Sequence, residues 1–93
     1  MKTIKIYQID MEKDTNGLMF RKWDYAKIMF DFSIYEKKWE GEIKKEYNLE
    51  DVFEMFNLNK PQDFRGHSLS VSDIVYMDGK YFYCDSFGWQ CIG

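Results

Sequence analysis

An α+β fold is what this sequence predicts: one antiparallel sheet of four to five strands, with two short helices packed mainly on one side. Three observations carry that expectation. Two apolar runs flank Asp78-Gly79, the strongest short-range hairpin signal, because a type I′ turn needs positive φ at both central residues. Residues 34–43 alternate between apolar and charged side chains, the pattern of a half-buried antiparallel strand. Asn48, followed by an apolar stripe at helical spacing and then by Pro61, marks a helix with its start and its stop.

Taken in order, residues 3–10 are rich in β-branched side chains and read as a first strand. Residues 11–17 form a loop closed by the turn pair Asn16-Gly17, and Leu18-Met19-Phe20 can continue as a short strand. Asp24 as N-cap, with Tyr25, Ile28, Met29 and Phe32 at helical spacing, predicts a short helix over 24–30. In the strand at 34–43, Tyr35, Trp39 and Ile43 are expected on one face, with Glu36, Lys38, Glu40 and Glu42 on the other. The second helix is predicted over 48–57, with Glu50 and Asp51 favouring its N-terminal dipole and Leu49, Val52, Phe53 and Phe56 as its stripe. Pro61 forbids its continuation.

A loop through Gln62–His67 leads to Ser68-Leu69-Ser70-Val71-Ser72-Asp73, where a hydroxyl-closed turn is expected at Ser70 or Ser72. In the hairpin that follows, Met77 should pair with Lys80, Tyr76 with Tyr81, Val75 with Phe82 and Ile74 with Tyr83. Both its faces are apolar, so it lies inside a sheet covered on both sides or offers one face to a partner. Ser86-Phe87-Gly88 turns the chain into a short closing strand at 89–92. The expected core is Ile4, Ile6, Ile28, Trp39, Val52, Phe53, Phe56, Leu69, Ile74, Val75 and Phe82.

The bulk properties narrow the function classes. Ninety-three residues make a single domain, 1–93. So short a chain buries only ~60–65% of its unfolded surface. Its aromatic content of 19% is more than that core can hide. The net charge is −3, divided as +1 over residues 1–33, −2 over 34–65 and −2 over 66–93. No segment is basic enough to track phosphates, so direct nucleic-acid binding is not expected, and a basic protein partner suits the charge. There is no run of ~18 apolar residues to span a membrane. Met1-Lys2-Thr3-Ile4-Lys5 is no signal peptide, and two cysteines make no disulfide framework. The expected location is therefore cytoplasmic, with reduced thiols.

Candidate chemistry reduces to a few residues. His67, the only histidine, has Ser68, Ser70, Ser72, Asp73 and Asp85 near it in sequence. A Ser-His-Asp relay needs those groups assembled in space, and serines beside a turn usually close it, so a structural hydrogen bond from His67 to its loop is the expectation. Cys84 and Cys91 with His67 lack zinc-ligand spacing and a fourth ligand, so no metal and no cofactor are expected. Asp73 and Asp85, at the open end of the hairpin, are expected to accept backbone N–H bonds. What remains is contact surface. Trp23, Trp39, Trp89, Tyr81 and Tyr83 are of the type enriched in protein interfaces.

The stretch from Val52 through Phe56-Asn57, Pro61, Asp63-Phe64 and Gly66-His67-Ser68-Leu69-Ser70-Val71-Ser72-Asp73, then Tyr83-Cys84-Asp85-Ser86-Phe87-Gly88, resembles the YodL-like domain family. The N-terminal Thr3-Ile4-Lys5-Ile6-Tyr7-Gln8 and the central Tyr35–Ile43 are similar to it as well, so the resemblance covers nearly the whole chain. The tight Asp78-Gly79 turn stands where the family often has a longer loop. The resemblance implies a protein of Gram-positive phages and conjugative elements, found beside antirestriction-type proteins, and carries over no catalytic residue. By that context the expectation is a non-enzymatic binding module that inhibits a host defence nuclease, an anti-CRISPR protein acting on a Cas9-type effector or its RNA complex. The acids to meet a basic groove are Glu36, Glu40, Glu42, Glu50, Asp51 and Glu54, with Trp89, Tyr81 and Tyr83 as aromatic anchors. Alternatives are an accessory protein of conjugative transfer or replication without inhibitory role, and a small enzyme using His67. A homodimer through the aromatic hairpin is compatible with each.

Overall fold

A computed structural model describes residues 1–93. Five strands, β1 (Lys2–Ile9), β2 (Tyr35–Ile43), β3 (Ile74–Met77), β4 (Lys80–Cys84) and β5 (Trp89–Cys91), form one sheet in the order β2-β1-β3-β4-β5. Every neighbouring pair is antiparallel. Two helices accompany it, α1 (Trp23–Ala26) and α2 (Leu49–Leu58). The α+β class is therefore as predicted. No helix is long and apolar enough to cross a membrane.

The hairpin has the register that its turn residues demand. Met77 faces Lys80, Tyr76 faces Tyr81, Val75 faces Phe82 and Ile74 faces Tyr83. Asp78 and Gly79 take φ of 54° and 79°, the left-handed pair of a I′ turn. The strand β3 lies between β1 and β4 and is covered on both faces. Val75 and Met77 belong to a core with Ile4, Ile6, Ile43, Val52, Phe56 and Leu69. Ile74 belongs to a second core with Ile9, Leu18, Ala26 and Tyr83.

Those two cores divide the helices. The stripe of α2 seals the first, and its Asn48–Asp51 capping box satisfies the first turn. The second core is closed by residues 18–35, including α1. Placing both helices mainly on one side is thus corrected: α2 alone forms a layer, and the single turn α1 lies across the sheet from it.

Helix α1 is also shorter than the predicted 24–30, and Asp24 does not cap it. Its first N–H, on Trp23, donates to Asp85 Oδ1 at 3.1 Å, a cap supplied from the far end of β4. Beyond Ala26 the chain turns so that Phe30 packs edge-on against Trp23 and Tyr83. The helical stripe is therefore never realised, and Ile28, expected in the core, is 83% exposed. Trp39, Phe53 and Phe82 pack against the first core but are only partly buried.

The faces of β2 need a further correction. Ile6 pairs with Trp39 and Tyr7 with Lys37, leaving Lys38 as a bulge. One extra residue reverses the alternation. Trp39 and Ile43 face α2, while Tyr35 lies with Tyr7 and Ile9 on the other side. The acids divide likewise: Glu36 stands opposite Gln8, whereas Glu40 and Glu42 stand opposite Lys5 and Thr3.

Candidate functional site

The loop before β3 builds a buried polar knot. Asp73, 1% exposed, accepts hydrogen bonds at Oδ2 from the Ser70 N–H (2.8 Å) and from Gln8 Nε2 (3.0 Å). Gln8, fully buried on β1, gives its second amide hydrogen to the His67 carbonyl at 2.9 Å. The Gln8 side chain occupies the place beside Gly66 where a Cβ would stand, 1.9 Å from Oε1. Only glycine permits so close an approach. The turn at Ser70 is closed by the Asp73 carboxylate, not chiefly by a hydroxyl as expected; the Ser70 Oγ is 3.5 Å away.

Ser72 fastens this loop to the opposite layer. Its φ is +86°. Its Oγ accepts the Phe20 N–H at 2.9 Å, and its carbonyl accepts the Tyr35 hydroxyl at 2.6 Å. Phe20 is itself a non-glycine residue at φ +67° and is 59% exposed. Its ring lies 5.9 Å from the His67 imidazole. Strain of this kind persists only where surrounding contacts over-determine it, and here two contacts to residues 67–72 do so.

His67 makes the expected bond within its loop: Nδ1 donates to the Ser68 carbonyl at 2.7 Å. Its Nε2 stands 4.0 Å from Asp73 Oδ1. Burial pushes the Asp73 carboxyl up to about 7, against the opposing pull of the Ser70 N–H, His67 and Gln8. No serine hydroxyl is hydrogen-bonded to His67, so the Ser-His-Asp constellation is incomplete as folded, with Ser72 Oγ committed to Phe20. Asp85 accepts from the Trp23 and Ser86 N–H groups. Burial disfavours its ionised form, and those bonds more than offset that, holding the carboxyl below the usual range. Both aspartates thus accept backbone N–H bonds, as their positions imply.

Cys84 is buried and Cys91 exposed, both as free thiols. Burial, with Asp73 nearby, pushes the Cys84 thiol up to about 12, far from the thiolate that nucleophilic chemistry needs. No three His, Cys, Asp or Glu side chains gather in a way that could hold a metal ion.

The expected contact residues are dispersed. Glu36 pairs with Lys38, and Glu40 with Lys37 at 2.6 Å, which lowers the Glu40 pKa. Glu50 accepts the Trp89 indole N–H at 3.1 Å, and Asp51 serves the capping box. Glu42 and Glu54 are exposed and form no ion pair. Trp89 is half-buried against Phe53. Tyr83 is fully buried, its hydroxyl donating to the Arg21 carbonyl at 2.6 Å. Tyr83, expected as an aromatic anchor, is therefore out of a partner's reach. Tyr81, with Phe30, Phe32 and Ile92, lines an apolar groove of about 260 Å³.

Beside that groove the structure exposes the apolar side chains that the sequence assigns to a helix stripe, together with Phe20 from Leu18–Phe20, where the expected short strand does not form. Phe20, Tyr25, Ile28, Met29 and Phe32 all stand open to solvent along residues 20–32. Gln8 was missed as well. Its signal was present: it falls in phase with Ile4 and Ile6, a polar side chain at a core position.

The model of the YodL-like domain matches residues 3–93. The chain belongs to the YodL-like domain family. No curated protein and no solved structure is significantly similar to it. Within this YodL-like domain, the residues that carried the resemblance do structural work together. Gly66, His67 and Asp73 build the knot, Ser72 holds Phe20, and Asp85 caps α1.

Proposed function

We propose that this YodL-like domain is a protein-binding module whose contact surface is the ridge over residues 20–32. The exposure of Phe20, Tyr25, Ile28, Met29 and Phe32 on one short segment carries this reading. Exposed apolar side chains gathered in this way mark interaction sites. The ridge continues into the groove at Tyr81 and Ile92. Glu40 and Glu42, on β2, lie on the same side of the sheet. Glu42 is the unpaired acid on that face, Glu40 being held by Lys37 and standing opposite Lys5, and it suits a basic contact on the partner.

The narrower proposal is that the partner is a host defence nuclease, a CRISPR effector of the Cas9 type, which the domain inhibits by occupying the groove that holds nucleic acid. The mobile-element context of YodL-like proteins and the unpaired Glu42 support it. The test uses a purified Cas9-type nuclease loaded with guide RNA, measuring its capture by immobilised domain and its DNA cleavage at low and moderate salt. Capture and loss of cleavage are expected. Ile28→Asp, at a side chain 83% exposed, should weaken capture at least about tenfold, as loss of an interface anchor does. Glu42→Lys should weaken it chiefly at low salt. Full cleavage with no capture removes the nuclease reading. Capture untouched by Ile28→Asp removes the ridge.

A further inference from the structure

We infer that His67 and Asp73 hold one proton between them and that this proton keeps Phe20 in its seat on the ridge, so that partner binding weakens when the pair loses it. This regulation rests on reading the ridge as the contact surface; the proton itself does not.

The hydrogen-bond inventory places the proton. The Gln8 amide has two hydrogens, one given to Asp73 Oδ2 and one to the His67 carbonyl. Its 3.4 Å approach to His67 Nδ1 is therefore no bond. Nδ1 faces the Ser68 carbonyl at 2.7 Å and must carry a hydrogen of its own. A neutral ring then has a bare Nε2, and that atom faces Asp73 Oδ1, a buried oxygen with no other donor. An ionised carboxylate would oppose a lone pair to a lone pair and leave a buried charge only half satisfied. A single proton, on either atom, makes the pair neutral; the 4.0 Å between the two atoms is an ion-pair distance, longer than a hydrogen bond.

The protein groups around the pair supply no alternative, and the His67 side chain is 40% exposed to the cleft. Gln8 of β1 is neutral, and burial keeps Tyr35 of β2 and Tyr83 and Cys84 of β4 protonated. The charged groups near His67, namely Asp10, Glu12, Glu36, Lys38 and Arg65, line the solvent-filled cleft that its ring borders. Water screens them there.

Phe20 reads the state of the pair because both of its holds are on this loop. Its N–H donates to Ser72, the neighbour of Asp73, and its ring rests on His67. An unprotonated pair must admit water or move apart. Either change disturbs residues 67–73 and frees a Phe20 whose φ of +67° is unfavourable without them.

The test follows the imidazole ¹⁵N signals of His67 and the backbone amide of Phe20 through the range in which carboxylates and imidazoles titrate. Nδ1 should stay protonated, and His67 and Phe20 should move in one common step. The Phe20 amide should exchange with solvent at least about tenfold faster on its basic side. In Asp73→Asn the carboxamide keeps an acceptor for Gln8 and Ser70, turns a permanent N–H toward Nε2 and cannot ionise, so Phe20 should lose the step and stay protected. A bare Nδ1, a His67 titration that Phe20 ignores, or an Asp73→Asn protein that keeps the Phe20 step overturns the shared proton. The wild-type titration decides this even if the variant fails to fold. No partner enters these measurements, so they stand apart from the ridge. A captured nuclease held equally on both sides of the step overturns the regulation and leaves the ridge intact.

Discussion

Replacing Gly66 with alanine tests the knot most directly. Gly66 has no left-handed φ, so the new methyl brings no backbone strain, only a collision. Its Cβ would stand 1.9 Å from Gln8 Oε1 and 2.8 Å from Cδ, with Phe64 Cζ at 3.0 Å. Gln8 is enclosed and must leave its place. It would give up one hydrogen bond to a carboxylate and one to a carbonyl. A bond to a charged group contributes about 1.5–3 kcal/mol and a neutral one about 1 kcal/mol, so Gly66→Ala should cost about 3 kcal/mol. For a domain of this size that lowers Tm by about 12–24 °C. The assay is urea unfolding of the wild type, Gly66→Ala, Gln8→Ala and the double variant. Because the penalty arises from contact between two side chains, Gly66→Ala should cost at least about 1.5 kcal/mol less when residue 8 is already alanine. A loss below about 1 kcal/mol for the single variant, or additive losses in the double, would refute the argument.

Other outcomes follow from single contacts. Tyr83→Phe removes the hydroxyl that donates to the Arg21 carbonyl and should cost about 1–2 kcal/mol in thermal unfolding with the fold retained. Asp85→Ala removes the remote cap of α1 and should cost about 1 kcal/mol, with faster amide exchange at Trp23 as its signature. The Asp73 carboxyl is raised from 3.8 to about 7 on folding. At this group the folded form therefore binds more protons than the unfolded chain between those values, and the stability that Asp73 contributes must fall as pH rises through that window and then level off. Subtracting the Asp73→Asn stability curve should isolate that slope; a difference that instead grows with pH would mean that the carboxylate is stabilised as an anion.

How far the fold was legible depends on how local its causes are. The hairpin register follows from Asp78-Gly79, since a two-residue turn leaves no freedom in pairing Val75 with Phe82. The helix α2 follows from Asn48, Asp51 and its stripe, all within one segment. The strands β1 and β2 follow from their alternation. Each of these signals lies within a few residues of its effect, and the chain alone determines it. The rest was decided only by contacts distant in sequence. One bulged residue, Lys38, reverses the faces of Tyr35 and Trp39, and nothing in the alternation announces where a bulge falls. Helix α1 starts from a cap on Asp85 and ends where Phe30 packs back against Trp23 and Tyr83; neither Asp85 nor Tyr83 is visible from residues 24–30. Gln8, His67 and Asp73 were each readable as single residues. Their union in one knot spans 65 positions of chain and exists because the sheet sets β1 beside β3, where a buried carboxylate must find its donors.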